Sequence, residues 1–276
     1  MVKRFAIFLV LAAAMLAGCN DFQKLQKSVD LNMKYDKAVE YYNKGDFTKA
    51  QILFDELYSV FRSTDKAESV AYYLAYCDFK TGDYIMASYL FRTYFRTYPT
   101  SPRASECLYM SAYCHYLVSP PYSLDQEDTY SAIEEFQYFI QMFPTDTARI
   151  GECNKMVDNL HKKLEKKAFL NAKLYYDIED YKAAITSLGL FNHDYPDSHY
   201  KEESDYLIAM SKYYLALNSI DAKKAERVQD CIDACNDFLT KYKESEYTGD
   251  VKMTLEKAKK LQMKLSNDNK INSNQK

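Results

Sequence analysis

The feature that most constrains this chain is a small residue that recurs between aromatic residues at a nearly constant interval. Five times an alanine has an aromatic residue three positions before it and another four positions after it. The alanines follow one another at steps of 37, 37, 60 and 37 residues. Residues three, four and seven apart share one face of an α-helix, so each triplet predicts a helix of the same kind. The triplets are Tyr35/Ala38/Tyr42, Tyr72/Ala75/Phe79, Tyr109/Ala112/Tyr116, Phe169/Ala172/Tyr176 and Tyr206/Ala209/Tyr213.

A second small residue follows each triplet and starts another apolar stripe. Turn signals separate the two rows, because Gly45-Asp46 and Gly82-Asp83 each join a helix-ending glycine to an N-capping aspartate. Small residues let two helices cross closely, and aromatic neighbours fill the gaps beside them. The sequence therefore predicts about five helical hairpins. The second-row residues are Ala50, Ala87, Ala132, Ala184 and Cys231.

The hairpins resemble the tetratricopeptide (TPR) repeat, a helix-turn-helix unit of about 34 residues. The resemblance runs from about Tyr35 to Tyr242, and it implies an all-α fold, an α-α superhelix or solenoid. The single long step, from Ala112 to Ala172, needs its own explanation. Most of its excess falls after Ala132, where residues 148–167 have a helical apolar pattern. We therefore expect a long linking helix between the third and fourth hairpins.

The N-terminus resembles a bacterial lipoprotein signal. Lys3 and Arg4 precede an apolar stretch, and Leu16-Ala17-Gly18-Cys19 matches a lipobox. The apolar stretch is too short to span a bilayer, which takes about 20 apolar residues. We expect residues 1–18 to be a cleaved signal peptide and Cys19 to carry acyl chains that anchor the protein. An ordinary secretory signal with a chance cysteine is the alternative.

The residues around this anchor also predict a location. By resemblance to the sorting rules of Gram-negative cells, Asn20 after the acylated cysteine permits transfer to the outer membrane. No acidic run follows Cys19, so we expect the chain to face the periplasm. The expected domains are the lipidated cysteine with a linker (19–30), front repeats 1–3 (31–146), the linking helix with repeats 4–5 and a capping helix (147–265), and a disordered tail (266–276).

The sequence favours a binding protein over an enzyme. Its four histidines lack metal-ligand spacing, and it contains neither a nucleophilic-serine motif nor a phosphate-binding loop. We expect no catalytic residues, no metal and no cofactor beyond the lipid on Cys19. Without Lys3 and Arg4, 34 basic residues face 39 acidic ones, so the basic surplus that holds nucleic acid is missing.

Six cysteines remain after Cys19, and an oxidising compartment would permit disulfides among them. Cys77 and Cys114 hold equivalent places in successive repeats. Stacked helices would place them about 8–10 Å apart, beyond the disulfide reach of about 7 Å between Cα atoms. Cys231 and Cys235 occupy positions where other repeats have core residues, so we interpret them as core; other pairings stay open.

The aromatic residues suggest where a partner would bind. The chain has 27 tyrosines and no tryptophan. In a TPR-like hairpin the first helix lines the concave surface, and tyrosine offers large rigid contact area with a hydroxyl for the backbone of a bound peptide. We expect inter-helix packing to account for half or more of these rings and two or three of them to line a groove. The candidate peptide-binding groove is lined by Tyr35, Tyr42, Tyr72, Tyr76, Phe79, Tyr109, Tyr113 and Tyr116.

The order of these motifs resembles the BamD family, TPR lipoproteins of the outer-membrane β-barrel assembly machine. The resemblance includes an enlarged third turn with Asp-Gln-Glu-Asp-Thr (125–129), Ala-Lys-Leu-Tyr-Tyr (172–176) and Asp-Tyr-Pro-Asp-Ser (194–198). It implies that the front repeats receive segments of unfolded outer-membrane proteins. It also implies that the back repeats dock on the periplasmic domains of a barrel insertase of the BamA type. Ser187 stands where family members usually have arginine, so the insertase contacts are not transferred.

Two other classes of protein fit the same repeats. One is a SusD-like nutrient-binding lipoprotein, although the chain is short and has no tryptophan for stacking on sugars. The other is a general periplasmic TPR scaffold for envelope complexes. Each of the three is a lipoprotein that binds other molecules, and they differ in the partner.

Overall fold

The structure, a computed structural model, describes residues 21–274. Within this range the chain is helical and contains no β-strand. A short helical segment, residues 21–26, precedes the main helices. These are α1 Leu31–Asn43, α2 Phe47–Val60, α3 Ala67–Thr81, α4 Tyr84–Thr97, α5 Ala104–Val118, α6 Glu127–Met142, α7 Thr147–Asp177, α8 Tyr181–Asp194, α9 Lys201–Leu217, α10 Asp221–Lys241 and α11 Thr248–Asn274.

The helices form two compact units that divide inside α7. Unit 1 ends at Leu160 and contains the hairpins α1/α2, α3/α4 and α5/α6. Unit 2 begins at His161 and contains the end of α7 with α8, the hairpin α9/α10, and α11. The predicted solenoid of five helical hairpins is confirmed, and so is the long helix before the fourth.

The predicted domain boundary at residue 147 lies instead within the long helix. The first part of α7 belongs to unit 1, because Asp146 and Arg149 both bind Ser105 of α5. The last part belongs to unit 2, because Phe169 and Ala172 lie in the core of the fourth hairpin. One continuous helix therefore supplies a buried surface to each unit.

The recurring small residues lie where the pattern predicted, in the cores between packed helices. The five triplet alanines are at most 4% exposed, and the five second-row residues are fully buried. Large side chains fill the space around them; Phe54, Phe91 and Phe136 are also fully buried. A side chain much larger than those of alanine and cysteine at these crossings would force neighbouring helices apart.

The turns inside the first two hairpins contain the predicted glycines. In the fourth hairpin a glutamate takes the place of the glycine in a strained backbone conformation. Gly45 and Gly82 have left-handed φ angles of 80° and 89°. In the fourth hairpin Glu179 has a φ of 63°, which is unfavourable for a residue with a Cβ atom. Asp46, Asp83 and Asp180 each cap the following helix by accepting a backbone N–H hydrogen bond.

The segments expected to be a linker and a disordered tail both contain helix in the structure. The expected linker contains residues 21–26, whose Leu25 is 9% exposed and whose Phe22 ring contacts Tyr41 at 5.6 Å. Two apolar side chains one turn apart can pack on the core, so this segment is helical. The expected disordered tail begins at Ser266, whereas α11 continues to Asn274. This stretch lacks proline and glycine, so no helix-breaking residue interrupts it.

Residues 1–20, with the expected signal peptide and Cys19, lie outside the described residues.

None of the helices between residues 21 and 274 is both long and apolar enough to cross a bilayer.

The six cysteines of this region are free and buried, Cys231 and Cys235 among them, as the core interpretation predicted. Burial raises the pKa of Cys77, Cys114 and Cys153 to about 12. At neutral pH these groups are therefore thiols and shielded from solvent.

We predict that a thiolate-selective reagent labels none of these six cysteines rapidly in the folded protein and all of them after unfolding in guanidinium chloride. The measurement is the number of labelled thiols against time, by absorbance or mass spectrometry. Labelling of the folded chain at the rate of the unfolded chain would contradict the buried positions.

We also predict that Glu179→Gly raises the free energy of unfolding by about 1 kcal/mol, because glycine adopts the left-handed conformation without a Cβ clash. The matched control is Gly82→Ala, which places a Cβ atom in the same conformation and should lower stability by about the same amount. Urea denaturation followed by circular dichroism measures both. An unchanged or lowered stability of Glu179→Gly would refute the strain at this turn.

Candidate functional site

The eight predicted groove residues all lie in unit 1, on the first helices of its three hairpins, and each is partly buried. Six of them, on α3 and α5, form a connected surface that we call the aromatic face. It comprises Tyr72, Tyr76, Phe79, Tyr109, Tyr113 and Tyr116.

The rings of the aromatic face contact one another across two successive hairpins. Tyr76 lies 4.8 Å from Tyr72 and 6.3 Å from Phe79, measured between ring centroids. Phe79 reaches Tyr113 of the next hairpin at 6.2 Å. Tyr113 stacks between Tyr109 and Tyr116, at 6.1 and 6.2 Å, with interplanar angles of 6° and 14°. The helix spacing thus places these rings in one continuous row.

The two candidates on α1 join this row less directly. Tyr42 contacts Tyr73 at 4.8 Å, and Tyr73 contacts Tyr72 at 5.8 Å. Tyr73 was not among the predicted residues, although it lies three positions before Tyr76 on the same helix. Tyr35 packs against the buried ring of Phe54 at 6.3 Å, so it connects to the others through the core.

Two glutamates hold hydroxyl groups of the aromatic face. Tyr72 and Tyr76 both donate to Oε1 of Glu106, Tyr72 at 3.0 Å. Tyr109 donates to Oε2 of Glu152, at the start of α7, at 2.9 Å. Burial, together with the nearby carboxylate, raises the pKa of each of these three tyrosines. Their hydroxyls therefore stay protonated and stabilise contacts between hairpins.

Sequence reasoning missed both glutamates. Glu106 lies in the first turn of α5, where an acidic residue is expected simply to favour the helix dipole. Its position opposite two tyrosines of α3 depends on how the second and third hairpins pack. The 37-residue step predicts that packing in outline but does not predict which polar groups meet.

Cations lie against several rings of the aromatic face. The guanidinium of Arg103 lies 4.3 Å from the centre of the Tyr72 ring. Arg149 lies 6.0 Å from the Tyr109 ring and forms an ion pair with Asp146 at 2.7 Å. Such cation–π contacts stabilise by about 0.5–1 kcal/mol each when partly exposed. The arginines therefore help to fix the rings they cover.

Two hydroxyls of the aromatic face remain available. Within residues 21–274, those of Tyr113 and Tyr116 have no hydrogen-bond partner, although their rings are fixed by stacking. Such groups can bind the backbone of another chain while the rings bury its side chains. In the same part of the chain, no group of three or more histidine, cysteine or acidic side chains is placed to hold a metal ion.

We predict that Glu106→Ala lowers the free energy of unfolding by about 1–3 kcal/mol, because two partly buried hydroxyls lose their acceptor. The matched control is Glu134→Ala on α6, an exposed glutamate, which should change stability by less than about 0.5 kcal/mol. Urea denaturation compares the variants with the unsubstituted chain. Equal effects of the two substitutions would contradict the role given to Glu106.

Comparison with solved structures finds chains of low sequence identity. One is the TPR domain of P58(IPK), which is 14% identical; the match covers 92% of this chain and 68% of that one, with a TM-score of 0.38. Another is the TPR2AB domain of yeast Sti1 in a complex with pHSP90, which is 12% identical; the match covers 83% and 98% of the two chains, with a TM-score of 0.36. We draw no conclusion about function from likenesses at this level.

The search of curated proteins found no match. A family model named YfiO and described as "Outer membrane lipoprotein" does match this chain, over residues 28–225 and again over residues 155–264. Together the two matches cover all the helical hairpins and the long helix between them. The chain therefore belongs to the YfiO family of outer membrane lipoproteins.

Proposed function

We propose that this chain is a non-enzymatic scaffold for the assembly and insertion of β-barrel proteins into the outer membrane. Membership of an outer membrane lipoprotein family supports the location, and helical hairpins in series support a role in binding other proteins. In this proposal acyl chains on Cys19 anchor the protein, which faces the periplasm. The anchor keeps the binding surface close to the membrane and raises its effective concentration there.

The aromatic face is the surface proposed to receive an extended segment of an unfolded outer-membrane protein. The observation that carries this proposal is the row of stacked rings in which Tyr113 and Tyr116 retain hydroxyls without a partner among the described residues. Extended segments with alternating aromatic side chains complement such a row, because rings bury rings while hydroxyls bind the backbone. Tyr42 extends the row, and Tyr35 contributes through its packing on the core.

Unit 2 is proposed to dock on the periplasmic domains of a barrel insertase of the BamA type. Its hairpins have the same architecture as those of unit 1, and its two first helices carry six aromatic residues, against ten on the three first helices of unit 1. Tyr176, Tyr206 and Tyr213 pack against its own cores. The resemblance to the BamD family, in which the back repeats dock on the insertase, supports this part of the proposal.

We predict that depleting the protein lowers the abundance of many outer-membrane β-barrels together, as measured by quantitative proteomics of outer-membrane fractions. Depletion removes a common scaffold, so barrels of unrelated transport function should fall in parallel. If barrel levels were unchanged while uptake of one nutrient failed, a SusD-like role would replace this proposal. If both were unchanged and another envelope complex failed, a general scaffold would replace it.

We further predict that Tyr113→Ala with Tyr116→Ala fails to restore barrel levels after depletion, because the rings at the centre of the aromatic face are lost. The matched control is Tyr89→Ala on α4, which removes a tyrosine that is 65% exposed and outside the aromatic face. Thermal unfolding of the purified variants is the check that they remain folded. Full restoration by the double variant would contradict the assignment of this surface.

A further inference from the structure

A second concave surface lies in unit 1, apart from the aromatic face. A groove of about 400 Å³ opens between α2 and α4, over the last part of α3. We call it the α2/α4 groove; Ile52 and Met86 form its rims, and Leu74 and Leu90 its floor. Ile52 and Met86 are 41% and 47% exposed, so apolar surface is open to solvent there. None of the eight predicted groove residues lines it.

Three aspartates project into this apolar groove. Asp78 lies at its base and is only 2% exposed, while Asp55 and Asp83 are exposed at its sides. None of the three forms an ion pair within residues 21–274. Asp78 accepts a hydrogen bond from the amide of Gln51, and Asp83 caps α4. Burial and the neighbouring Asp83 and Asp55 raise the pKa of Asp78 to about 6.

The packing of the hairpins does not require acidic residues at these places. Unit 2 has a groove between α8 and α10 at the equivalent point of its repeats. Three positions after the triplet alanine, unit 1 has Asp78 and unit 2 has Lys212. Four positions before the second-row residue, unit 1 has Asp83 and unit 2 has Arg227. The same fold thus accommodates opposite charges, and the acidic groove of unit 1 is a property of its own sequence.

We propose that the α2/α4 groove is a docking site for a segment of a partner protein that presents a lysine or arginine between aliphatic side chains. The aliphatic stem of such a residue would lie against Ile52 and Met86, and its cationic group would reach Asp78 at the base, between Asp55 and Asp83 at the sides. Charge complementarity selects this occupant, because an acidic or uncharged polar segment would leave Asp78 buried without a cation. The site is independent of the aromatic face and of the function proposed for it.

The occupant can be identified by selecting random peptides displayed on phage against the full lipoprotein in detergent. We expect the peptides that bind the unsubstituted protein but not the Asp55→Asn variant to be enriched in lysine or arginine flanked by aliphatic residues. Asp55 is exposed, so this substitution should leave the fold intact. A selection in which no such peptides depend on Asp55 would overturn the proposal.

Binding of a selected peptide is then measured by fluorescence anisotropy. We expect Asp78→Asn and Asp55→Asn each to weaken binding about tenfold, and Lys212→Gln, the matched substitution in unit 2, to leave it unchanged. Replacing the peptide's cationic residue by norleucine should cause a similar loss and abolish the effect of Asp78→Asn. Equal weakening by Lys212→Gln, or equal binding of the norleucine peptide, would overturn the proposal.

The pH dependence provides a further readout. Protonation of Asp78 removes one negative charge from the groove, so binding should weaken from about pH 7.5 to about pH 5 and less so in Asp78→Asn.

Sedimentation of the lipoprotein in detergent tests the competing occupant, a second copy of this chain. Self-association that Asp78→Asn abolishes would show that the groove binds another copy, and would overturn the assignment to a different protein.

Discussion

The structure depends on the close approach of helices at positions where the side chain is a methyl group or a thiol. The triplet alanines and second-row residues are essentially without solvent contact, and large rings fill the adjoining space. Dispersion contacts of this kind are individually weak, but each buried ring makes many of them. Repetition of the same crossing in successive hairpins builds a core in which each hairpin is stabilised mainly by its neighbours.

The same packing of helices determines which aromatic side chains remain accessible to a binding partner. In unit 1 the rings three and four residues from a triplet alanine are partly buried, so that one side packs and the other remains accessible. Glu106 and Glu152 then divide the tyrosines of the aromatic face into two groups. Tyr72, Tyr76 and Tyr109 use their hydroxyls inside the protein, whereas Tyr113 and Tyr116 do not. An aromatic-rich surface can therefore be rigid and still offer hydrogen-bonding groups to a second chain.

Much of the fold followed from the sequence because its signals are local. The spacing of Ala38, Ala75 and Ala112 predicted helices of equal design, and Asp46 and Asp83 predicted where two of the second helices begin. The position of the domain boundary inside α7 did not follow, because it depends on tertiary contacts that one helix makes with two cores. Helix formation in the expected linker and tail was also missed. Leu25 packs against a core that no local pattern defines. The polar end of α11 contains no proline or glycine that would end the helix.

The candidate site was predictable in its rings and not in its polar contacts. The repeat pattern gave the eight aromatic candidates but not Tyr73, and it did not predict that Glu106 meets tyrosines 30 and 34 residues earlier. The α2/α4 groove was missed for a related reason. Asp78 has no unusual sequence context, and its significance appears only when Asp55 and Asp83 from two other helices converge on it.

The central claim is that the first helices of unit 1 hold another polypeptide on their aromatic face. Photoreactive amino acids placed in living cells at position 113, and at position 89 as the exposed control, test it most directly. The account predicts crosslinks from position 113 to several different outer-membrane β-barrel proteins during their assembly, and few from position 89. Equal crosslinking from both positions, or no β-barrel protein crosslinked at position 113, would contradict it.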